Sequence, residues 1–132
     1  MDTHEIFNDS YERCQRNQQF FLIFYRRFWA KDERFKDIFK GVDMERQIRM
    51  LKLSISMIML ASTSDQAREG IRRYGKAHGP DGVGVKPADF EIWLDSLIDT
   101  VRICDPKFND EIALAWRDCF KAGIAIMKEE CI

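Results

Sequence analysis

The stretch that decides the fold is AREGIRRYGKAH, residues 67–78. Its apolar and aromatic positions, Ala67, Ile71 and Tyr74, are followed by His78 at offsets of four, three and four residues. These offsets place all four side chains on one face of an amphipathic helix. The other histidine, His4, lies near the N-terminus, where chain ends usually fray. A neutral imidazole on a buried helix face is a good ligand for a transition metal, so His78 is the first candidate for a binding site.

Helical periodicity extends outward from this stretch through most of the chain, and strict alternation is almost absent. The inward-facing residues predicted for the other helices are Ile6, Phe7, Ser10, Tyr11 and Cys14; Phe20, Phe21, Phe24, Tyr25 and Phe28, from about Asn17; Phe35, Ile38 and Phe39; Met44, Gln47, Leu51, Ser54, Ile55 and Ile58; Phe90, Trp93, Leu94, Leu97, Ile98 and Val101; and Ile112, Trp116, Cys119, Phe120, Gly123, Ile124 and Met127. Asp43 and Asn109 are expected helix N-caps, and Ser62 and Asp65 have capping-box spacing before the His78 helix. The sequence predicts one all-α domain, residues 1–132, of roughly six to eight helices.

Composition and charge exclude several classes of protein. The chain has 132 residues and a formal net charge of −1, with no dominant basic cluster, so nucleic acid is not an expected partner. Its N-terminus is polar, unlike a secretory signal peptide, and its most apolar run is too short to span a bilayer. We therefore expect a cytoplasmic protein with no membrane partner. The four cysteines are scattered, without the spacing of a zinc site.

Four residues conflict with the character of their positions. Tyr25 adds a phenol to a face of phenylalanines, Gln47 adds an amide to an apolar stripe, and His78 adds an imidazole to another. Phe39 precedes the turn at Gly41, where a ring could lie flat over a ligand. Buried polar groups are costly unless they are hydrogen-bonded. If the three polar groups point into one cavity, that cavity is expected to hold something polar or polarisable.

The order and spacing of six short motifs resemble the globins, most closely the bacterial single-domain globins and the globin domain of flavohaemoglobins. The motifs are IFYRRF (23–28), FKDIF (35–39), RQIRML (46–51), KAH (76–78), VKP (85–87) with Phe90, and AW (115–116) with Phe120. The resemblance covers nearly the whole chain and implies a globin fold around a haem b pocket.

The resemblance also implies roles for individual residues. His78 is the expected axial iron ligand, and Tyr25 and Gln47 are expected to hydrogen-bond the oxygen ligand. The remaining haem contacts implied by the resemblance are Phe39, Leu51, Tyr74, Val85, Lys86 and Phe90. A plainer interpretation remains open for the three polar residues at the centre of this hypothesis. His78 can be a core histidine, Tyr25 a core tyrosine bonded to a carbonyl, and Gln47 a partly exposed helix residue.

Two departures from the family pattern stand out. The turn between His78 and Val85 is two residues longer than the family usually has, and it is glycine-rich. Phe90 stands where flavohaemoglobins usually carry a tyrosine that acts on the proximal histidine. No GxGxxG motif and no flavin or nicotinamide domain is expected in this chain.

Three functions fit these residues. The first is reversible binding of O₂, with NO and CO as further gas ligands, for scavenging, sensing or transport. The second is an NO dioxygenase that works with a separate reductase, and the third is a haem-free globin-fold regulatory module. Tyr25 and Gln47 predict tight oxygen binding and favour the first two. The oligomeric state is left open.

Overall fold

A computed structural model describes residues 2–61, 64–78 and 86–130, but not the side chains of Tyr74 and His78. Within these ranges all regular structure is helical, which confirms the all-α prediction. The seven described helices are α1 (Thr3–Gln15), α2 (Phe20–Lys31), α3 (Glu33–Ile38), α4 (Met44–Leu60), α5 (Asp65–His78), α6 (Pro87–Cys104) and α7 (Asp110–Glu130). None of the described helices is both long enough and apolar enough to cross a membrane.

Side-chain caps begin several of these helices. Asp43 Oδ1 accepts hydrogen bonds from the N–H groups of Glu45 and Arg46 and starts α4, as predicted. Asn109 Oδ1 accepts from Ile112 N–H at 2.9 Å and starts α7, also as predicted. The first orphan N–H groups of a helix need such acceptors.

Two predicted helix starts differ from the structure. The cap of α5 is Ser64, whose Oγ accepts from Ala67 N–H at 3.1 Å, whereas Ser62 lies outside the described residues. The second helix begins at Phe20 rather than near Asn17. Asn17 instead forms a turn before α2, because its Oδ1 accepts from Gln19 N–H at 2.9 Å.

By density of contacts, the chain divides into two compact groups. The first contains residues up to 38 and residues 92–119. Its core is aromatic: Phe28 stacks on Phe35 with ring centroids 4.3 Å apart, and Phe7 meets Trp116 edge to face at 4.5 Å. Such ring pairs contribute about 0.5–1.5 kcal/mol beyond the area they bury. The prediction of a single domain stays a prediction.

A buried polar network lies inside this first group. Asp105 accepts hydrogen bonds from Arg13 Nε at 2.6 Å, from Ser10 Oγ at 2.7 Å and from Lys107 N–H at 2.9 Å. Ser10 Oγ in turn accepts from Trp116 Nε1 at 2.9 Å. The network therefore ties α1 to the residues that end α6 and to α7. A buried carboxylate with this many donors is well compensated for its loss of water.

The second group contains residues 39–91 and 120–132 within the described ranges, and here α4 packs on α5. Its buried apolar side chains include Leu51, Ile55, Ile58, Ala67, Ile71, Phe90, Phe120 and Ile124. The C-terminal part of α7 approaches α4 so closely at Gly123 that an added Cβ would lie 2.7 Å from Ile58 Cγ2. The absence of a side chain at Gly123 thus allows the close approach of α7 to α4.

Candidate functional site

Tyr25 lies on α2, and its side chain is only 2 % exposed. Its ring contacts the ring of Phe24, with centroids 5.1 Å apart, and the ring of Trp29, with centroids 5.8 Å apart. The predicted inward position of Tyr25 is therefore confirmed. A phenol in aromatic surroundings has its hydroxyl as its one strong polar group, so the direction of that O–H decides what the residue can recognise.

Gln47 and Leu51 lie four residues apart on α4. Leu51 is buried and Gln47 is half-buried. This is the pattern expected where a helix surface passes from the core to solvent. Gln47 lines a groove together with Val42, Asp43, Arg46 and Met50. Gln47 therefore borders a groove at the surface.

Three further residues that the resemblance implies as haem contacts, Phe39, Lys86 and Phe90, lie in the second group. Phe39 is half-buried just after α3, and Phe90 is buried in the first turn of α6. Lys86 is exposed and directly precedes α6, where its N–H donates to the buried Asp89 Oδ2 at 2.8 Å. Asp89 therefore fixes the backbone from which the Lys86 ammonium extends.

The predicted iron ligand, His78, is the last residue of α5. The helix is continuous from Ile71 to His78, and Ala67 and Ile71 are buried as predicted. The side chains of His78 and Tyr74 lie outside the described residues, and so does the whole of Val85. The roles of these three residues stay predictions.

The metal-binding groups of the chain suit haem better than a metal ion held by side chains alone. Within the described residues, no cluster of three or more His, Cys, Asp or Glu side chains could hold a metal ion. Haem does not require such a cluster, because the porphyrin supplies four ligands and the protein need supply only one axial imidazole. Within the second group, the candidate imidazole of His78 and apolar side chains such as Leu51 and Phe90 fit haem in kind.

Two of the described cysteines, Cys14 and Cys119, do not offer thiolate ligands or nucleophiles at neutral pH. Burial raises the pKa of Cys14 to about 12, and the charge of Asp105 adds to this effect. Burial also raises the pKa of Cys119 to about 11, helped by Asp118 and Asp2. Thiolates, not thiols, bind metals and attack electrophiles. Both cysteines therefore act as small apolar core residues.

Sequence reasoning missed Gly75, which lies between Tyr74 and His78 on α5. Gly75 is buried, and the C-terminal turn of α7 passes directly over it. The only sequence signal was a glycine inside a helical pattern, where it costs about 1 kcal/mol relative to alanine and so calls for a packing reason.

The comparisons with known proteins bear on the fold. No family model and no curated protein sequence matches the chain. A crystal structure does match: protein PA3967 from Pseudomonas aeruginosa PAO1, described as structurally highly homologous to a human hemoglobin. The two chains are 29 % identical, the match covers 98 % of each, and the TM-score is 0.90. The chain is thus similar to a globin-like protein along nearly its whole length, and it has the globin fold.

Proposed function

We propose that this protein is a haem-binding globin that takes up O₂, and also NO and CO, reversibly. The observation that carries the proposal is the near-complete match to a haemoglobin-like structure, combined with a helix that ends at the expected iron ligand, His78. Bound haem supplies the ferrous centre for the gas ligand. His78 holds the haem through one ring nitrogen and donates its other N–H to a neighbouring acceptor.

Tyr25 and Gln47 recognise the gas ligand in this proposal. The Tyr25 O–H would donate a hydrogen bond to the gas ligand, and the Gln47 amide would donate a second one or hold Tyr25 in place. The burial of Tyr25 supports its role, because a hydrogen bond shielded from water is electrostatically stronger. One charge-assisted hydrogen bond contributes about 1.5–3 kcal/mol, or roughly ten- to a hundredfold in oxygen release. Tight binding of this kind suits scavenging or sensing.

The rest of the pocket excludes water. Phe39, Leu51, Tyr74, Val85 and Phe90 form the apolar lining in this proposal, and burial of Leu51 and Phe90 supports it. The exposed ammonium of Lys86 would pair with a haem propionate, and the Asp89 bond fixes the backbone from which this ammonium extends. A dry lining keeps anions away from the iron and strengthens the hydrogen bonds inside.

Absorption spectra test this function. Protein expressed with adequate haem supply is purified, and the ferric, ferrous, oxygenated and carbonylated forms are recorded. The proposal predicts a Soret band in all four forms, and a carbonyl complex that returns to the oxygenated form when the gas is exchanged. Protein that shows no Soret band after reconstitution with haemin would exclude this function and leave a haem-free regulatory module.

A further inference from the structure

The C-terminal turn of α7 lies against α5 at the level of Gly75. A Cβ built on Gly75 would lie 2.8 Å from Glu130 Cβ, 3.2 Å from Glu130 Cγ and 3.5 Å from Met127 Cα. Apart from atoms of their own and adjacent residues, real Cβ atoms essentially never have another heavy atom within 3.0 Å. Glu130 Cβ is fixed to the α7 backbone, so relief of this contact requires the backbone of α5 or of the last turn of α7 to shift.

Gly70, one and a half turns earlier on α5, makes a useful contrast. A Cβ at Gly70 would meet Met57 Sδ at 3.1 Å, and that atom belongs to the flexible end of a long side chain. Both glycines lie inside one helix, where each costs about 1 kcal/mol relative to alanine. Of these two positions, only Gly75 therefore requires glycine because the backbone of a neighbouring helix lies close to it.

The position of Gly75 connects this packing to the proposed iron ligand. His78 follows it by three residues on the same unbroken helix, a rise of about 4.5 Å. The distance between two packed helices depends on the side chains at their contact. Any change in spacing at Gly75 is therefore transmitted through less than one turn of helix to the backbone of His78.

We propose that Gly75 is a positioning residue for the iron–imidazole bond. Because Gly75 has no Cβ, the base of Glu130 does not push α5 away, and the end of α5 that carries His78 keeps its position. The spacing of the two helices, rather than any chemical group of Gly75, then sets the length and strength of that bond. This inference rests on the proposed haem function.

Four variants test the proposal: Gly75→Ala, Gly70→Ala, Glu130→Gly and the double variant Gly75→Ala with Glu130→Gly. Haem transfer to a haem-scavenging acceptor protein gives the haem dissociation rate. Resonance Raman spectra of the ferrous forms give the iron–histidine stretching frequency. Thermal unfolding of each apoprotein reports packing without haem.

Gly75→Ala is expected to lose haem at least about fivefold faster, a difference of about 1 kcal/mol, and to shift the iron–histidine frequency, because the added Cβ moves α5. In the double variant, the haem dissociation rate and the iron–histidine frequency are expected to return towards wild type. The reason is that the Cβ and Cγ atoms of Glu130, which would clash with the added Cβ, are absent. Gly70→Ala and Glu130→Gly alone are expected to match wild type in both haem readouts.

An unchanged iron–histidine frequency in Gly75→Ala, or a double variant no better than the single one, would overturn the proposal. A frequency shift in Glu130→Gly as large as that in Gly75→Ala would also overturn it, because the side chain of Glu130 would then be acting directly. Failure of the haem function has a different signature: wild-type protein itself shows no Soret band, while apoprotein Gly75→Ala still unfolds at a lower temperature than Gly70→Ala.

Discussion

Tyr25 is the residue on which gas affinity depends in this account. Its burial on α2 and its contacts with Phe24 and Trp29 leave the hydroxyl as the polar group that distinguishes it from its phenylalanine neighbours. Tyr25→Phe removes one oxygen atom and keeps the ring. We expect this variant to retain haem and to release O₂ about ten- to a hundredfold faster, as measured by stopped-flow dissociation.

Tyr11→Phe is the matched control for this measurement. Tyr11 lies on α1, its ring contacts Trp116 at 5.8 Å, and burial raises its pKa to about 12. Nothing in the globin resemblance gives it a role towards the ligand, so its loss should leave O₂ release unchanged. Equal rates for Tyr25→Phe and wild type would remove Tyr25 from ligand binding.

Gly41 is a residue whose backbone conformation, rather than its contacts, requires glycine. It has a φ of +78°, and a Cβ built on it would meet nothing within 4 Å. Alanine there is strained only by the left-handed conformation, which costs roughly 1–2 kcal/mol. Gly41→Ala should lower the free energy of unfolding by about that amount in urea denaturation, and Gly41→Asn by less, because asparagine tolerates this region. Equal stability of Gly41→Ala and wild type would show that the turn adopts another conformation.

At the level of helices, close contacts determine which substitutions the fold tolerates. Gly123 on α7 faces α4, where an added Cβ would lie 2.7 Å from Ile58 Cγ2 and 3.1 Å from Ile58 Cα. We expect Gly123→Ala to destabilise the protein by about 1–3 kcal/mol through overpacking, although alanine is the better helix former. Chemical denaturation measures this loss. Gly70→Ala is the control: its added Cβ meets only the flexible end of Met57, so it should be neutral or stabilising. If Gly123→Ala is also neutral or stabilising, α4 and α7 are not in close contact at Gly123.

Sequence patterns predicted the helices better than their ends. The inward faces of α2 and α7 follow from apolar spacing alone, because one side of each helix must be buried. The cap of α5 could not be chosen this way. The segment STSD, residues 62–65, offers four capping side chains in a row, so local preference alone does not choose among them. In the structure Ser64 accepts from Ala67 N–H.

The acid stability of the whole molecule should depend on Asp105. Burial alone would raise the pKa of this carboxyl, but hydrogen bonds from Arg13, Ser10 and Lys107 N–H lower it below its usual value. The unfolded chain therefore binds a proton more readily than the folded one. The stabilisation is complete above the unfolded pKa of about 3.9 and is lost as the pH falls through the lower folded value.

Asp105→Asn removes the charge and keeps the size of the side chain. We expect it to lower the free energy of unfolding at pH 7 by about 3 kcal/mol, because the guanidinium of Arg13 loses its buried partner. The variant should also show a flatter fall in stability below pH 5, measured by urea denaturation across pH. Asp95→Asn is the control, since its exposed pair with Arg117 contributes at most about 1 kcal/mol. Equal losses in the two variants would contradict this account.

More of the fold than of the candidate site could be predicted from the sequence. The helical class followed from periodicity, and the globin arrangement followed from motif order, which the match to PA3967 confirms. The positions of Tyr25, Leu51 and Phe90 in buried surroundings were also predictable, because each continues an apolar stripe. The Asp105 network and the contact at Gly75 were not, since both join residues far apart in sequence and leave no periodic signal.

The central claim is that His78 binds the iron of a haem. Its most direct test is titration of apoprotein with haemin for wild type and His78→Gly, with and without added imidazole. We predict that each wild-type chain binds one haem and shows a Soret band. In His78→Gly the spectral features of imidazole-bound haem should be lost. They should return when added imidazole fills the space left by the side chain. Equal haem affinity and identical spectra for wild type and His78→Gly would contradict the claim.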